Sequence, residues 1–233
     1  EMTSSLVGSE MCIRDRYTRR KGMILLNQIN SAILQLLLFL SVPFMWYVVT
    51  HKKINGFFVW LGIKVAPKPP LKVMLCILIG FLVVVFLPYM WLYQSENLNY
   101  QGFTVDAFRQ SGWSIQTLCV ILIWAILQTS LSEEILFRGF LCKRCCNKFG
   151  EKIGNTVQAI IFGMVHTAAL PDKNIFAILI VVLLTGGIGY VLGWFSLKKV
   201  QGSILYGWVI HATVNILSPI IVFTFLLPNY TVQ

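Results

Sequence analysis

Residues Ile115–Leu141 read IQTLCVILIWAILQTSLSEEILFRGFL. Apart from Glu133, Glu134 and Arg138, the stretch carries no charge. At about 1.5 Å per residue it is long enough to cross the roughly 30 Å hydrocarbon core of a bilayer as a helix. Inside lipid each backbone polar group must be satisfied within the protein, so a segment of this kind is helical. Working outward, five more apolar stretches stand beside it: about Met23–Thr50, Leu71–Tyr93, Asn155–Leu170, Ile175–Leu197 and Ser203–Leu227. Together they predict an all-α protein, a polytopic transmembrane helical bundle of about six to seven spans. The fourth stretch is short. The sixth contains Pro219, which lacks an N–H and predicts a kink or a break.

The composition agrees. Of 233 residues, 57% are hydrophobic and 12% charged, against roughly a quarter charged in soluble domains, and the mean hydropathy is +0.74. A soluble globular protein is excluded. The net charge of +10 would suggest nucleic acid in a soluble chain, but here the basic residues sit between apolar runs, where they orient spans. No nucleic-acid partner is expected; the partner is the bilayer itself, and the expected location is the plasma membrane, multi-pass.

The loop Lys143–Lys152 holds four basic residues and reads as cytoplasmic, whereas Ser95–Trp113 reads as outside. Lys198 and Lys199 then lie inside, and the Pro171–Asn174 turn and the C-terminus outside. The first span is basic at both ends, with Arg19, Arg20 and Lys21 before it and Lys52 and Lys53 after it, so its direction stays open. Between the first two spans, Gly56–Val65 is apolar, flanked by lysines and closed by Pro67, Pro69 and Pro70, as a short interfacial helix would be. In the fifth span Gly189 and Gly193 form a GxxxG that allows close helix approach. Cys142, Cys145 and Cys146 are expected to be reduced, inert thiols.

The N-terminus is unlike the rest. Residues 6–16, LVGSEMCIRDR, resemble the translation of a transposon-end sequencing adapter, and residues 1–16 are expected to be non-native. Without them 17 Lys and Arg face 6 Asp and Glu, a net charge of +11. The expected organisation is then 17–114, N-terminal transmembrane helices with an interfacial segment, and 115–228, a catalytic helical core.

Two of those six acids are Glu133 and Glu134. Ionisable groups at bilayer depth cost about 2.5–3.5 kcal/mol each on insertion scales and mark function by default. On an α-helix Arg138 falls near Glu134 and well away from Glu133. Glu134 and Arg138 are therefore expected to pair, leaving Glu133 without a local counter-charge as the candidate chemical group. His166, four residues after Phe162, and His211, four before Asn215, also sit in apolar spans. Counted from the basic loops, Glu134, His166 and His211 lie about 13–17 Å deep, so three helices deliver polar residues to one layer.

The set E-E-x-x-x-R (Glu133, Glu134, Arg138), F-x-x-x-H (Phe162, His166) and H-x-x-x-N (His211, Asn215) resembles the motifs of the CAAX-protease and bacteriocin-processing (CPBP, or Abi) family. The resemblance covers about Ile115–Pro228. It implies an intramembrane endopeptidase with a cavity open to the cytoplasm, acting on membrane-associated proteins or peptides, prenylated ones among them. By that resemblance, Glu133 and His166 activate the attacking water and His211 and Asn215 stabilise the oxyanion, with Glu134, Arg138 and Phe162 in support. No cofactor is expected. The alternative is a zinc protease with Glu133, His166 and His211 as ligands. A non-catalytic bacteriocin self-immunity or scaffold protein, and a transporter, are the readings from other classes.

Overall fold

The computed structural model describes residues 2–66, 68, 70–94, 102–170 and 174–226. Among these, all regular structure is helical. Eight helices follow in order: α1 (Met2–His51), α2 (Phe57–Leu61), α3 (Leu71–Gln94), α4 (Phe103–Ser111), α5 (Ile115–Phe149), α6 (Glu151–His166), α7 (Ile175–Lys199) and α8 (Leu205–Phe225). Among the described residues four segments are long and apolar enough to cross a membrane: Gly22–His51 of α1, α5, α7 and α8. The chain is an integral membrane protein.

The bundle is built on α5, flanked by α1 and α8; α6 packs on α7, and α3 on α7 and α8. The α6–α7 seam is the tightest because glycines stand where a Cβ would collide. At Gly163 a Cβ would lie 2.6 Å from the Val182 carbonyl oxygen, at Gly186 3.1 Å from that of Ala159, and at Gly189 3.0 Å from the Phe162 ring. Gly193, the other half of the GxxxG, faces the Asn155 side chain. Asn155 Nδ2 donates to the Tyr190 carbonyl and Gln158 Nε2 to that of Gly189, both at 2.9 Å. Because the obstacle at Gly163 is backbone, Gly163→Ala is expected to cost about 1–3 kcal/mol by overpacking. A lowered thermal unfolding midpoint in detergent checks it.

α2 is a five-residue helix between Gly56 and Gly62, both at positive φ (87° and 99°). Phe57 and Leu61 bury against Tyr47, Ile135 and Ile204. The strand of chain that follows is laced to the start of α8: Ile204 N–H donates to the Gly62 carbonyl (2.9 Å), Ser203 Oγ to that of Lys64 (2.6 Å), and Tyr206 Oη accepts from Ala66 N–H (3.1 Å). Lys143 Nζ donates to the Leu61 carbonyl at 2.8 Å. The basic ends of α1, α5, α7 and the entry to α3 and α8 thus share one end of the bundle.

Several expectations change. α5 does not stop near Leu141 but runs on through the basic segment to Phe149, since no glycine or proline intervenes before Gly150. α8 does not break at Pro219; it continues as α-helix to Ile221 and then in wider, π-type turns over Val222–Leu226. The Ser95–Trp113 loop contains the amphipathic helix α4, whose Phe108 stacks on Phe223 of α8 at 4.5 Å. The Pro171–Asn174 turn falls largely, and the C-terminal tail from 227 wholly, outside the described residues.

The direction of α1, open in the sequence, is decided by its contacts. Gln28 meets Gln128, Gln35 meets Ser132 and Trp46 meets Phe140, so the register rises on both helices and they run parallel. Lys52 and Lys53 therefore lie at the end that carries Lys143, and the start of α1 lies at the other. Every consecutive long helix then reverses direction, as short connections require.

Candidate active site

α5 changes its winding where the charged residues sit. Ile123–Leu131 and Glu134–Cys142 have π-type turns, with Ser132 and Glu133 between them. Such wide turns inside α-helices are frequent at functional sites. One visible consequence is that Thr129 Oγ1 donates to the Trp124 carbonyl, five residues back, at 2.9 Å.

Glu134 and Arg138 are both buried and their ion pair is 3.3 Å long, the pairing that the spacing predicted. The guanidinium also lies over the Phe162 ring, 4.2 Å from its centroid, which gives a cation otherwise short of partners a π face. Phe162 is packed edge-on against Phe137 (4.9 Å) and touches His166 (4.4 Å). It is thus the floor on which Arg138 and His166 both rest.

His211 Nδ1 lies 3.3 Å from Glu134 Oε1. A carboxylate at that position accepts, so Nδ1 carries the proton. The other ring nitrogen, Nε2, is 3.7 Å from Glu133 Oε2, too long for a direct hydrogen bond. His166 Nδ1 donates to the Phe162 carbonyl at 2.8 Å; a carbonyl can only accept, so in the neutral ring Nε2 is left as the acceptor. Glu133 and His166 share the wall of a cavity of about 360 Å³, and Glu133 Oε2 has no hydrogen-bond partner among the described residues. Asn215 points differently: its Nδ2 donates to Thr129 Oγ1 (2.9 Å) and Ser130 Oγ (3.1 Å) on α5. Glu133, Glu134, Arg138, Phe162, His166 and His211 come together; Asn215 of α8 meets α5 about one turn before Glu133, at Thr129 and Ser130, with its donors already engaged.

Two contributions escaped the sequence reading. The first is α1. Ser31 and Gln35 line the same cavity as Glu133 and His166, and belong to a polar ladder within the membrane: Gln28 Nε2 donates to Gln128 Oε1 (2.5 Å), Gln128 Nε2 to Ser31 Oγ (2.9 Å) and Gln35 Oε1 (3.2 Å), and Gln35 Nε2 to Ser132 Oγ (3.3 Å). The spacing of Gln28, Ser31 and Gln35, three and then four residues, was the available signal. The second is Gly207. A Cβ there would lie 2.9 Å from Glu134 Oε2, so a bare backbone makes room for the carboxylate that holds His211.

Gly207→Ala is accordingly expected to turn the Glu134 carboxylate and lower kcat/KM by about 10- to 100-fold, the cost of a displacement of around 1 Å. Stability should change little, because alanine's helix propensity offsets the contact by up to about 1 kcal/mol. Steady-state kinetics set beside thermal unfolding separate the two effects.

Among the described residues no three His, Cys, Asp or Glu side chains converge as a metal centre would need. His211, one candidate ligand, has both ring nitrogens turned to carboxylates. The Cys142, Cys145 and Cys146 thiols are free, with Cys142 and Cys146 3.9 Å apart at the basic end of α5.

An all-helical integral membrane protein with a carboxylate–histidine site buried between its helices is the class defined by this fold and site. Residues 115–217 match the family described as type II CAAX prenyl endopeptidase Rce1-like. The chain carries a domain of this CPBP family, and membership implies a protease acting on protein substrates. Comparisons with curated proteins and with solved structures return no match.

Proposed function

We propose that the chain is a glutamate-type intramembrane endopeptidase whose catalytic core is 115–228. The observation that carries this reading is the shared cavity of Glu133 and His166, beside a histidine held by Glu134. Glu133 takes a proton from a water in the cavity, with His166 Nε2 as its second acceptor. The hydroxide attacks the peptide carbonyl carbon, and as the tetrahedral intermediate collapses the C–N bond breaks and Glu133 passes the proton it took from the water to the leaving amine. His211, whose Nδ1–H is held by Glu134, faces the developing oxyanion with Nε2, which donates there when the ring carries its second proton and, as a fixed donor in a low-dielectric site, then acts most strongly. Asn215 holds α8 against α5 through Thr129 and Ser130 and reaches the oxyanion by giving up the longer of these bonds. Arg138 and Phe162 fix Glu134 and His166. The mechanism needs no metal or cofactor.

Six helices span the bilayer in this reading, α3 and α6 joining the four longest, and the basic end faces the cytoplasm of the plasma membrane. Substrates are prenylated or otherwise membrane-bound peptides and proteins, which reach a cavity that α1 closes on one side with Ser31 and Gln35.

The test is hydrolysis by the purified full chain in vesicles, against farnesylated CAAX peptides, the same peptides without the lipid, and apolar leader peptides, with products identified by mass. Cleavage within at least one class supports the proposal. A folded protein that cleaves none of them overturns it in favour of a binding role. Cleavage abolished by a chelator and restored by zinc would replace the metal-free mechanism.

A further inference from the structure

A second cavity lies between α3 and α7, with no residue of α1 in its wall. It encloses about 630 Å³ and runs from Lys72 and Trp194 to Val84 and Leu183. Its wall is almost wholly apolar, and Gly80 and Gly187 hollow it out. Nothing lies within 4 Å of a Cβ built at either glycine, so neither is there to let helices touch.

Three features of the groove fit together. Twelve residues of α3 separate Lys72 from Val84 and eleven of α7 separate Leu183 from Trp194, so its length is about 16–18 Å. That is close to one leaflet of a hydrocarbon core about 30 Å thick. One end is basic: Lys72 lines the mouth and is exposed, and Lys199 Nζ stands 5.2 Å over the ring of Trp194, which lines it too. The Glu151 carboxylate is paired with Lys198, and among the described residues neither Lys72 nor Lys199 is ion-paired with an acid.

We propose that this groove binds one acyl chain of an anionic glycerophospholipid, whose phosphate is held by Lys72 and Lys199. The chain replaces the helix-to-helix contact that the two glycines forgo, and the indole of Trp194 sits at the headgroup level where such rings collect. Basic pockets between spanning helices bind anionic headgroups by the same combination of forces. The proposal does not depend on the catalytic reading, since none of these residues touches the Glu133 cavity.

Phosphatidylglycerol carrying a photoreactive group at the end of one acyl chain tests it, with the full chain in neutral detergent and crosslinks mapped by mass spectrometry. Labels are expected around Val84, Leu183 and Leu184. Unlabelled phosphatidylglycerol should compete about 5- to 25-fold better than phosphatidylcholine, at about fivefold per lysine, and Lys72→Gln should remove about fivefold of that. Gly187→Leu fills open space and should abolish labelling without lowering the unfolding midpoint. Equal competition by the two lipids, labels spread over other faces, or labelling that survives in Gly187→Leu would overturn the proposal. Displacement by a farnesylated peptide and not by phosphatidylglycerol would instead give the groove to a substrate.

Discussion

Glu133→Gln lowers kcat for peptide hydrolysis by about 10²- to 10⁴-fold, the span typical of removing a positioned general base, or about 3–5 kcal/mol of barrier. KM and the unfolding midpoint should stay near their wild-type values. Glutamine keeps the shape of the side chain but cannot take up the proton of a water. The fold does not need the charge, because Glu133 Oε2 has no hydrogen-bond partner among the described residues and His211 Nε2 is 3.7 Å away. An effect on kcat with no effect on stability is therefore specific to a chemical role. Should kcat stay within threefold of wild type in a protein that cleaves peptide, Glu133 is not the base and Glu134 must be considered in its place.

Arg138→Met acts on stability instead. Glu134 and Arg138 are fully buried and 3.3 Å apart. Removing one partner leaves the other as an uncompensated charge at bilayer depth, and breaking a buried pair in this way costs about 3–5 kcal/mol. The double substitution Glu134→Met with Arg138→Met is expected to regain most of that loss, because apolar groups of similar volume carry no desolvation penalty. Its activity should not return, since His211 Nδ1 has then lost the acceptor that orients the ring. Unfolding midpoints of the single and double variants, set beside turnover, measure both claims. A double variant no more stable than Arg138→Met would show that the pair is held by its geometry with Phe162 and not by charge compensation.

Much of the site was legible in advance because charged and imidazole side chains are conspicuous in apolar helices. The Glu134–Arg138 pair follows from four-residue spacing, and the close α6–α7 approach from the glycines of α7. The polar face of α1 was equally present, at Gln28, Ser31 and Gln35, but uncharged amides do not stand out when spans are read by charge and hydropathy. The wide turns of α5 were not legible at all. Counting at 3.6 residues per turn located Arg138 correctly relative to Glu134, yet it gave no hint that Ser132 and Glu133 lie between two stretches of π-type winding. Nor did it reveal that Asn215 spends both of its donors on Thr129 and Ser130.

The sequence by itself determined the helical membrane character and the short roster of residues able to do chemistry. Lipid tests each segment separately: it demands an apolar run of sufficient length and makes each buried charge costly, and both are local properties of the chain. The direction of α1, its place as a wall of the Glu133 cavity, the room that Gly207 makes for Glu134 and the groove between α3 and α7 were decided only by the tertiary structure. These depend on which helices lie side by side. In a bilayer that choice is made by small residues that let backbones approach and by hydrogen bonds between residues a hundred positions apart, such as Gln28 with Gln128, and hydropathy along a single segment carries no record of them.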